Sequence, residues 1–139
     1  MRSPFLPPSK EKKMIHNGVI IPTEHQEQKA VVEWALWHEL QHPELKMLFA
    51  IPNGTYKSKA ASGMFKAEGL KKGVPDLMLA VARKGYHGLF IEMKRLKGGV
   101  VSKEQVWWLN ALSEQGYRVA TCRGYDQAIN IIKDYLEIE

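Results

Sequence analysis

The 139-residue chain has a single cysteine, Cys122, so no disulfide can form within it and its stability has to come from a packed core. No apolar run approaches the ~20 residues that a membrane-spanning helix needs, so no membrane partner is expected. The opening stretch MRSPFLPPSKEKKM lacks the apolar segment of a secretory signal. Together these absences give the expectation of a cytoplasmic protein. Internal repeats, a P-loop, a Rossmann glycine pattern and a Gly-x-Ser-x-Gly elbow are all missing, which removes the common nucleotide-binding and serine-hydrolase readings. His38 and His42 have a possible zinc spacing, but no second pair completes a tetrahedral set and Pro43 ends the helix there. A structural zinc is therefore excluded.

What is present is ordinary for a globular protein. Hydrophobic residues make up 45% and charged residues 25%, and the length suits one domain with its own core. Twenty Lys and Arg against fifteen Asp and Glu leave a net charge of +5, which favours a polyanionic partner without proving one.

The most informative stretch runs GVPDLMLAVARKGYHGLFIEMK, from Gly73 to Lys94. Two strongly apolar runs flank Arg83-Lys84-Gly85-Tyr86-His87-Gly88, a turn-forming segment, so the stretch reads as a β-hairpin. Side chains alternate along a strand, which puts Glu92 and Lys94 on one face and Ile91 and Met93 on the other. A turn centred near Gly85 pairs Asp76 with Lys94 and Met78 with Glu92. Asp76 and Glu92 then become diagonal neighbours, about 7–8 Å apart at the backbone and within reach of one shared ion. A charged strand end is commonly just solvent-facing. Here the apolar runs imply a covered sheet, where three charges are costly unless a metal or substrate compensates them.

The rest of the chain supplies a frame. Residues 1–22, with Pro4, Pro7, Pro8, Pro22 and the basic Lys10, Lys12 and Lys13, suggest a poorly ordered basic arm with at most a short strand at Val19–Ile21. A domain is expected over 23–139. Thr23 and Gln26 form a capping box opening a helix to about Gln41, with Glu24, Gln28, Val31 and Ala35 on one face. Glu24 at its start is explained by the helix dipole alone, an effect of ~0.3–1 kcal/mol. Lys46 to Ile51 reads as a strand ended by Pro52-Asn53-Gly54, where Asn53 is a turn residue. A weak helix is expected from Ser58 towards Lys72. Lys57, Lys59, Lys66, Lys71 and Lys72 lie on or beside it, either as a solvated face or as sequence-independent phosphate contacts. Arg95 and Lys97 belong to a basic loop. Ser102 and Gln105 form a second capping box, opening a helix to about Gln115. A strand at Tyr117–Cys122 and a helix at Tyr125–Leu136, with Ala128, Ile131, Ile132 and Tyr135 as its face, complete the chain.

Pro75-Asp76 followed by Glu92-x-Lys94 resembles the PD-(D/E)xK nuclease signature. With Ser102-x-x-Gln105 downstream and Glu24 and Ile51-Pro52-Asn53-Gly54 upstream, the run from Glu24 to Tyr135 resembles the virus-type replication-repair nuclease (VRR-NUC) family. The resemblance implies an α/β, restriction-endonuclease-like core, a mixed sheet of about four strands flanked by helices. It implies a catalytic set of Asp76, Glu92, Lys94, Glu24 and Gln105, with Glu27 in place of Glu24 if the helix register differs. Asn53 would lie beside the site. Asp76, Glu92, Glu24 and the Met93 carbonyl are hard oxygen donors that suit Mg²⁺, with Mn²⁺ as a substitute. The implied activity is DNA phosphodiester hydrolysis leaving 5′-phosphate ends, and short stand-alone members resemble Holliday-junction resolvases acting as homodimers. A flap or linear-duplex nuclease, and a DNA-binding module without catalysis, are the alternatives.

Overall fold

Four strands in the order β3-β4-β5-β6 form the sheet that carries the site. They are β3 (Leu48–Ala50), β4 (Leu77–Leu79), β5 (Leu89–Lys94) and β6 (Arg118–Arg123). The computed structural model describes residues 14–52 and 59–139 of the chain. β3–β4 and β4–β5 are antiparallel, whereas β5 and β6 run parallel. A parallel pair needs a crossover, and helix α3 (Lys103–Glu114) provides it. With α1 (Glu24–His38), α2 (Lys59–Ala67) and α4 (Tyr125–Leu136), the architecture is the expected α/β arrangement of a mixed four-stranded sheet and helices.

All six residues of β5 are buried, so this strand is covered on both faces. Leu89, Ile91 and Met93 share one face with Leu77 and Leu79 of β4. They join Val31 and Ala35 of α1 and Ala128, Ile132 and Tyr135 of α4 in the main core. The opposite face carries Phe90, Glu92 and Lys94, in register with Val119, Thr121 and Arg123 of β6. The alternation places a charged pair on a strand whose other side is pure core.

The hairpin exists, with a register two residues from the expected one. Met78 pairs with Phe90, not Glu92, and Leu77 pairs with Ile91. Two small effects add. The tip is a tight turn closed by reciprocal Arg83–Tyr86 bonds of 2.8 and 3.2 Å, with positive φ at both Lys84 and Gly85, so it is centred half a residue earlier. The first arm then holds three residues (80–82) between tip and ladder where the second holds two (87–88). A shift of two keeps every side chain on its face. One step beyond the ladder, Asp76 therefore comes level with Glu92, not Lys94.

Other boundaries move for local reasons. Residues 14–21, within the expected arm, form a second hairpin of β1 (Met14–His16) and β2 (Val19–Ile21) around Asn17-Gly18. Pro43 opens a short 3₁₀ helix, Pro43–Met47, so β3 begins at Leu48. The Thr23 capping box is present, and α1 ends at His38, short of Gln41. Its buried stripe is Glu27, Val31 and Ala35, which leaves Glu24 outside it. α2 stops at Ala67 as the Leu70 N–H turns back to the Phe65 carbonyl, ahead of Lys72; its expected cap, Ser58, lies outside the described residues.

Candidate active site

Strand β5 delivers Glu92 and Lys94 to one face, and the end of β4 delivers Asp76 to meet them. Asp76 is held at two points. Its carbonyl accepts the Ile51 N–H at 2.8 Å, and its carboxylate Oδ2 accepts the Met93 N–H at 2.7 Å. The side chain thus takes the place of a ladder partner that β4 no longer supplies. A strand residue's N–H and C=O leave on the same edge, so the Met93 carbonyl also emerges on the Asp76 side. The Lys94 carbonyl goes the other way and accepts the Gly124 N–H beyond β6.

Glu92 is 1% exposed and Lys94 4%. The Lys94 Nζ lies 3.5 Å from Glu92 Oε1 and 3.9 Å from Glu24 Oε1. Burial, reinforced by the neighbouring Asp76 charge, pushes the Glu92 carboxyl up to about 8 against the opposing pull of Lys94. Its second oxygen, Oε2, is buried without a hydrogen-bond partner. An oxygen that no donor reaches, beside a second carboxylate, is costly to ionise, so the Glu92 carboxyl keeps its proton towards Asp76. Such an oxygen is also the donor chemistry of a hard divalent cation. Among the described residues no three His, Cys, Asp or Glu side chains converge as a ready-made cage. Mg²⁺ is commonly held by one or two carboxylates with waters and substrate phosphates, so Asp76 and Glu92 fit such an ion without a third.

Gln105 has two roles in the geometry. The Ser102 capping box is complete: Gln105 Oε1 accepts the Ser102 N–H at 2.9 Å, and Ser102 Oγ accepts the Gln105 N–H at 3.2 Å. The Gln105 amide Nε2 then donates to Glu92 Oε1 at 2.6 Å. The start of α3 is packed so tightly on the chain leading to Asp76 that a Cβ on Gly73 would lie 2.7 Å from Glu104 backbone. Removing the cap alone and removing both roles are separable. Ser102→Ala and Gln105→Ala are each expected to lower stability by about 1 kcal/mol. Only Gln105→Ala loses the bond to Glu92, and its cleavage rate should fall by about tenfold or more. Denaturation midpoints set beside initial cleavage rates check this, and equal rates for the two variants would refute a site role for Gln105.

The remaining expected residues divide. Glu24 reaches the site through Lys94, with its side chain 44% exposed. Glu27 is buried but serves elsewhere: its Oε2 accepts the Tyr125 N–H at 2.6 Å, anchoring the first turn of α4. Lys66, Lys71 and Lys72 line an open groove of about 470 Å³ with Ser62, Phe65 and Leu70, and Lys59 is exposed at the start of α2. Asn53 and Lys57 lie outside the described residues. Lys97 is exposed, whereas the Arg95 guanidinium turns back and donates to the Ile21 carbonyl at 3.0 Å. Arg95 is thus committed to β2 and does not project freely towards a ligand. The His38 ring bonds the Trp34 carbonyl at 2.7 Å, a contact within the helix. Cys122 is buried, and desolvation raises its thiol to about 11, so it packs as an apolar residue. Among the described residues no helix is long and apolar enough to cross a membrane.

The VRR-NUC domain model matches residues 16–126, which spans the β2 strand, the whole site and the start of α4. A solved structure titled "VRR_NUC domain protein" superposes with a TM-score of 0.72 at 28% sequence identity, covering 86% of this chain and 92% of that one. A search of curated protein sequences finds no match. A two-carboxylate and lysine site at the end of a hairpin, on a fold shared with that structure and inside the matched segment, has one consistent classification: the chain belongs to the VRR-NUC family and is a nuclease-type, DNA-processing domain.

Proposed function

We propose that the protein is a divalent-metal-dependent, structure-selective endonuclease that hydrolyses phosphodiester bonds in branched DNA, acting on four-way junctions as a homodimer. The observation that carries the metal requirement is the buried Glu92 carboxyl with its unpartnered Oε2 beside Asp76. When bound, Mg²⁺ or Mn²⁺ supplies Lewis-acid polarisation of a phosphate and activation of water. Asp76, Glu92 and the Met93 carbonyl are the groups that would hold it, with Glu24 at the margin. Lys94 orients the attacking water and offsets negative charge developing on the phosphate oxygens. Gln105 fixes the Glu92 carboxyl, so that one oxygen is committed to α3 and the other is left for the cation.

The lysines along the α2 groove support contact with DNA backbone and not with base edges, since point charges lack the fork that reads a base. Symmetry supports the dimer. Resolving a four-way junction takes two matched cuts, this chain has one site, and a two-fold pair supplies the second. The test is cleavage of end-labelled four-way junction, flap and linear duplex with Mg²⁺, alongside sedimentation of the free protein. Paired symmetric nicks in the junction from a dimeric protein are expected. A monomer that cuts flap or duplex as readily as junction would overturn the resolvase reading and leave a general nuclease. Junction binding without cleavage under any divalent ion would leave a DNA-binding module.

A further inference from the structure

Lys94 sits at the end of a strand, where a lysine ordinarily reaches water, yet it is 4% exposed. The cover comes from the segment that follows it. Residues 95–99 fold back over the Lys94 and Glu24 pair. A Cβ built on Gly99 would stand 3.1 Å from Glu24 Oε1, 3.7 Å from Lys94 Cδ and 3.9 Å from Arg95 Cγ, so the segment lies against both side chains, and its φ of +69° favours a glycine there. The segment is tied on both sides. Towards the N-terminal hairpin, Arg95 donates to the Ile21 carbonyl, and Met14 Cε lies 3.1 Å from the Cβ position of Gly98. Towards β6, Leu96 packs against Gly124, and one side chain provides the hydrogen-bonded tie.

That side chain is Arg123. It lies in register beside Lys94 on the parallel neighbour strand, so its guanidinium emerges on the Lys94 side of the sheet. Nη1 donates to the Arg95 carbonyl at 3.1 Å and the Gly98 carbonyl at 2.7 Å, and Nη2 donates to the Gly99 carbonyl at 3.0 Å. Three carbonyls gathered on one planar fork is an arrangement that a lysine's single ammonium does not reproduce. The main chain of Arg123 is also fixed, because its N–H donates to Gln127 Oε1 at 2.8 Å and the next residue's N–H reaches the Lys94 carbonyl. Among the described residues, none of the bonds made by the guanidinium goes to an acid. Its charge is spent on orienting backbone.

We propose that Arg123 is a positioning residue for Lys94: it clamps the 95–99 segment as a strap that confines the Lys94 ammonium between Glu92 and Glu24. This rests on the reading of Lys94 as a site residue, and the experiment separates the two. Arg123→Ala and Arg123→Lys are compared with wild type and Asp76→Ala. The first readout is the acylation rate of the Lys94 amine by an N-hydroxysuccinimide ester, followed by peptide mass spectrometry with the half-exposed Lys29 as internal reference. It needs no activity. In both Arg123 variants Lys94 labelling is expected to rise about tenfold relative to Lys29, as a local opening and not global unfolding exposes it. The second readout is kinetic: kcat should fall about tenfold to a hundredfold from misplacement of the ammonium, with KM within about twofold of wild type. Circular dichroism reports folding, and if Arg123→Ala does not fold, Arg123→Lys alone decides. Unchanged Lys94 labelling and unchanged kcat in a folded variant overturn the positioning role. If wild type and Asp76→Ala cut alike, the nuclease reading of the site fails instead, and the labelling result still decides whether the strap exists.

Discussion

Asp76→Ala and Lys94→Ala are each expected to lower the DNA cleavage rate by about 10²–10³-fold or more, the scale of losing one preorganised charge-stabilising group. The two losses differ physically, and that difference is measurable. Alanine at position 76 removes the carboxylate proposed to hold the metal and also strands the Met93 N–H, which Asp76 Oδ2 accepts at 2.7 Å. An unsatisfied buried donor costs about 1–3 kcal/mol, so Asp76→Ala should also be less stable. Asp76→Asn keeps an acceptor for that N–H while losing the charge. It should therefore be nearly as inactive as the alanine variant and close to wild type in stability. Lys94→Ala removes the one cation that holds the Glu92 carboxyl down, so the carboxyl of that variant titrates higher still. Single-turnover cleavage with chemical denaturation on the same preparations checks all three. Full activity in Asp76→Asn would place the chemistry elsewhere.

The second large effect appears without substrate. In metal-free protein the Glu92 carboxyl sits near 8 against an ordinary 4.5. Between those values the folded protein keeps a proton that the unfolded chain has released. Stability therefore falls as pH rises from about 4.5 to about 8 and levels off above, by an amount on the order of a few kcal/mol. Glu92→Gln has nothing to ionise at this position and should lack that slope. With chelator present, the variant and wild type are expected to melt together at pH 5, and the variant to melt higher at pH 8, by about 5 °C or more. Adding Mg²⁺ or Mn²⁺ at pH 8 should raise the wild-type melting temperature and leave Glu92→Gln nearly unmoved, since a bound cation stabilises only the folded state that can hold it. Parallel pH curves for the two proteins would mean that Glu92 is ionised and satisfied by its protein neighbours alone, with no need of a metal.

Local signals carried much of the fold. Both capping boxes were legible because each is written in four residues, and both form. The helix at Tyr125–Leu136 follows from its apolar face and has those bounds. The faces of the hairpin were legible because alternation survives a shift of two, whereas the register was not. It depends on Lys84 adopting positive φ and on an extra residue in one arm, neither of which Lys or Ala advertises. The β1–β2 hairpin did have a signal, Asn17-Gly18 between apolar residues, which the surrounding prolines and lysines obscured. At the site, Asp76, Glu92, Lys94 and Gln105 could be named from spacing and resemblance. Arg123 could not. It acts on backbone carbonyls some two dozen residues away, and a carbonyl leaves no mark in a sequence.

Glu24 and Glu27 both lie in the first turn of α1 and make unrelated contacts, one an ion pair at 3.9 Å with Lys94 and the other a hydrogen bond at 2.6 Å from the first amide of α4. The second bond acts as an index pin. A residue inserted or deleted between positions 24 and 27 would turn Glu24 by about 100° around the helix axis while the pin stayed engaged. The three-residue interval between the two acids is therefore a mechanical dimension of the molecule: it sets the angle at which α1 presents its first carboxylate to Lys94, from an anchor on the first turn of α4.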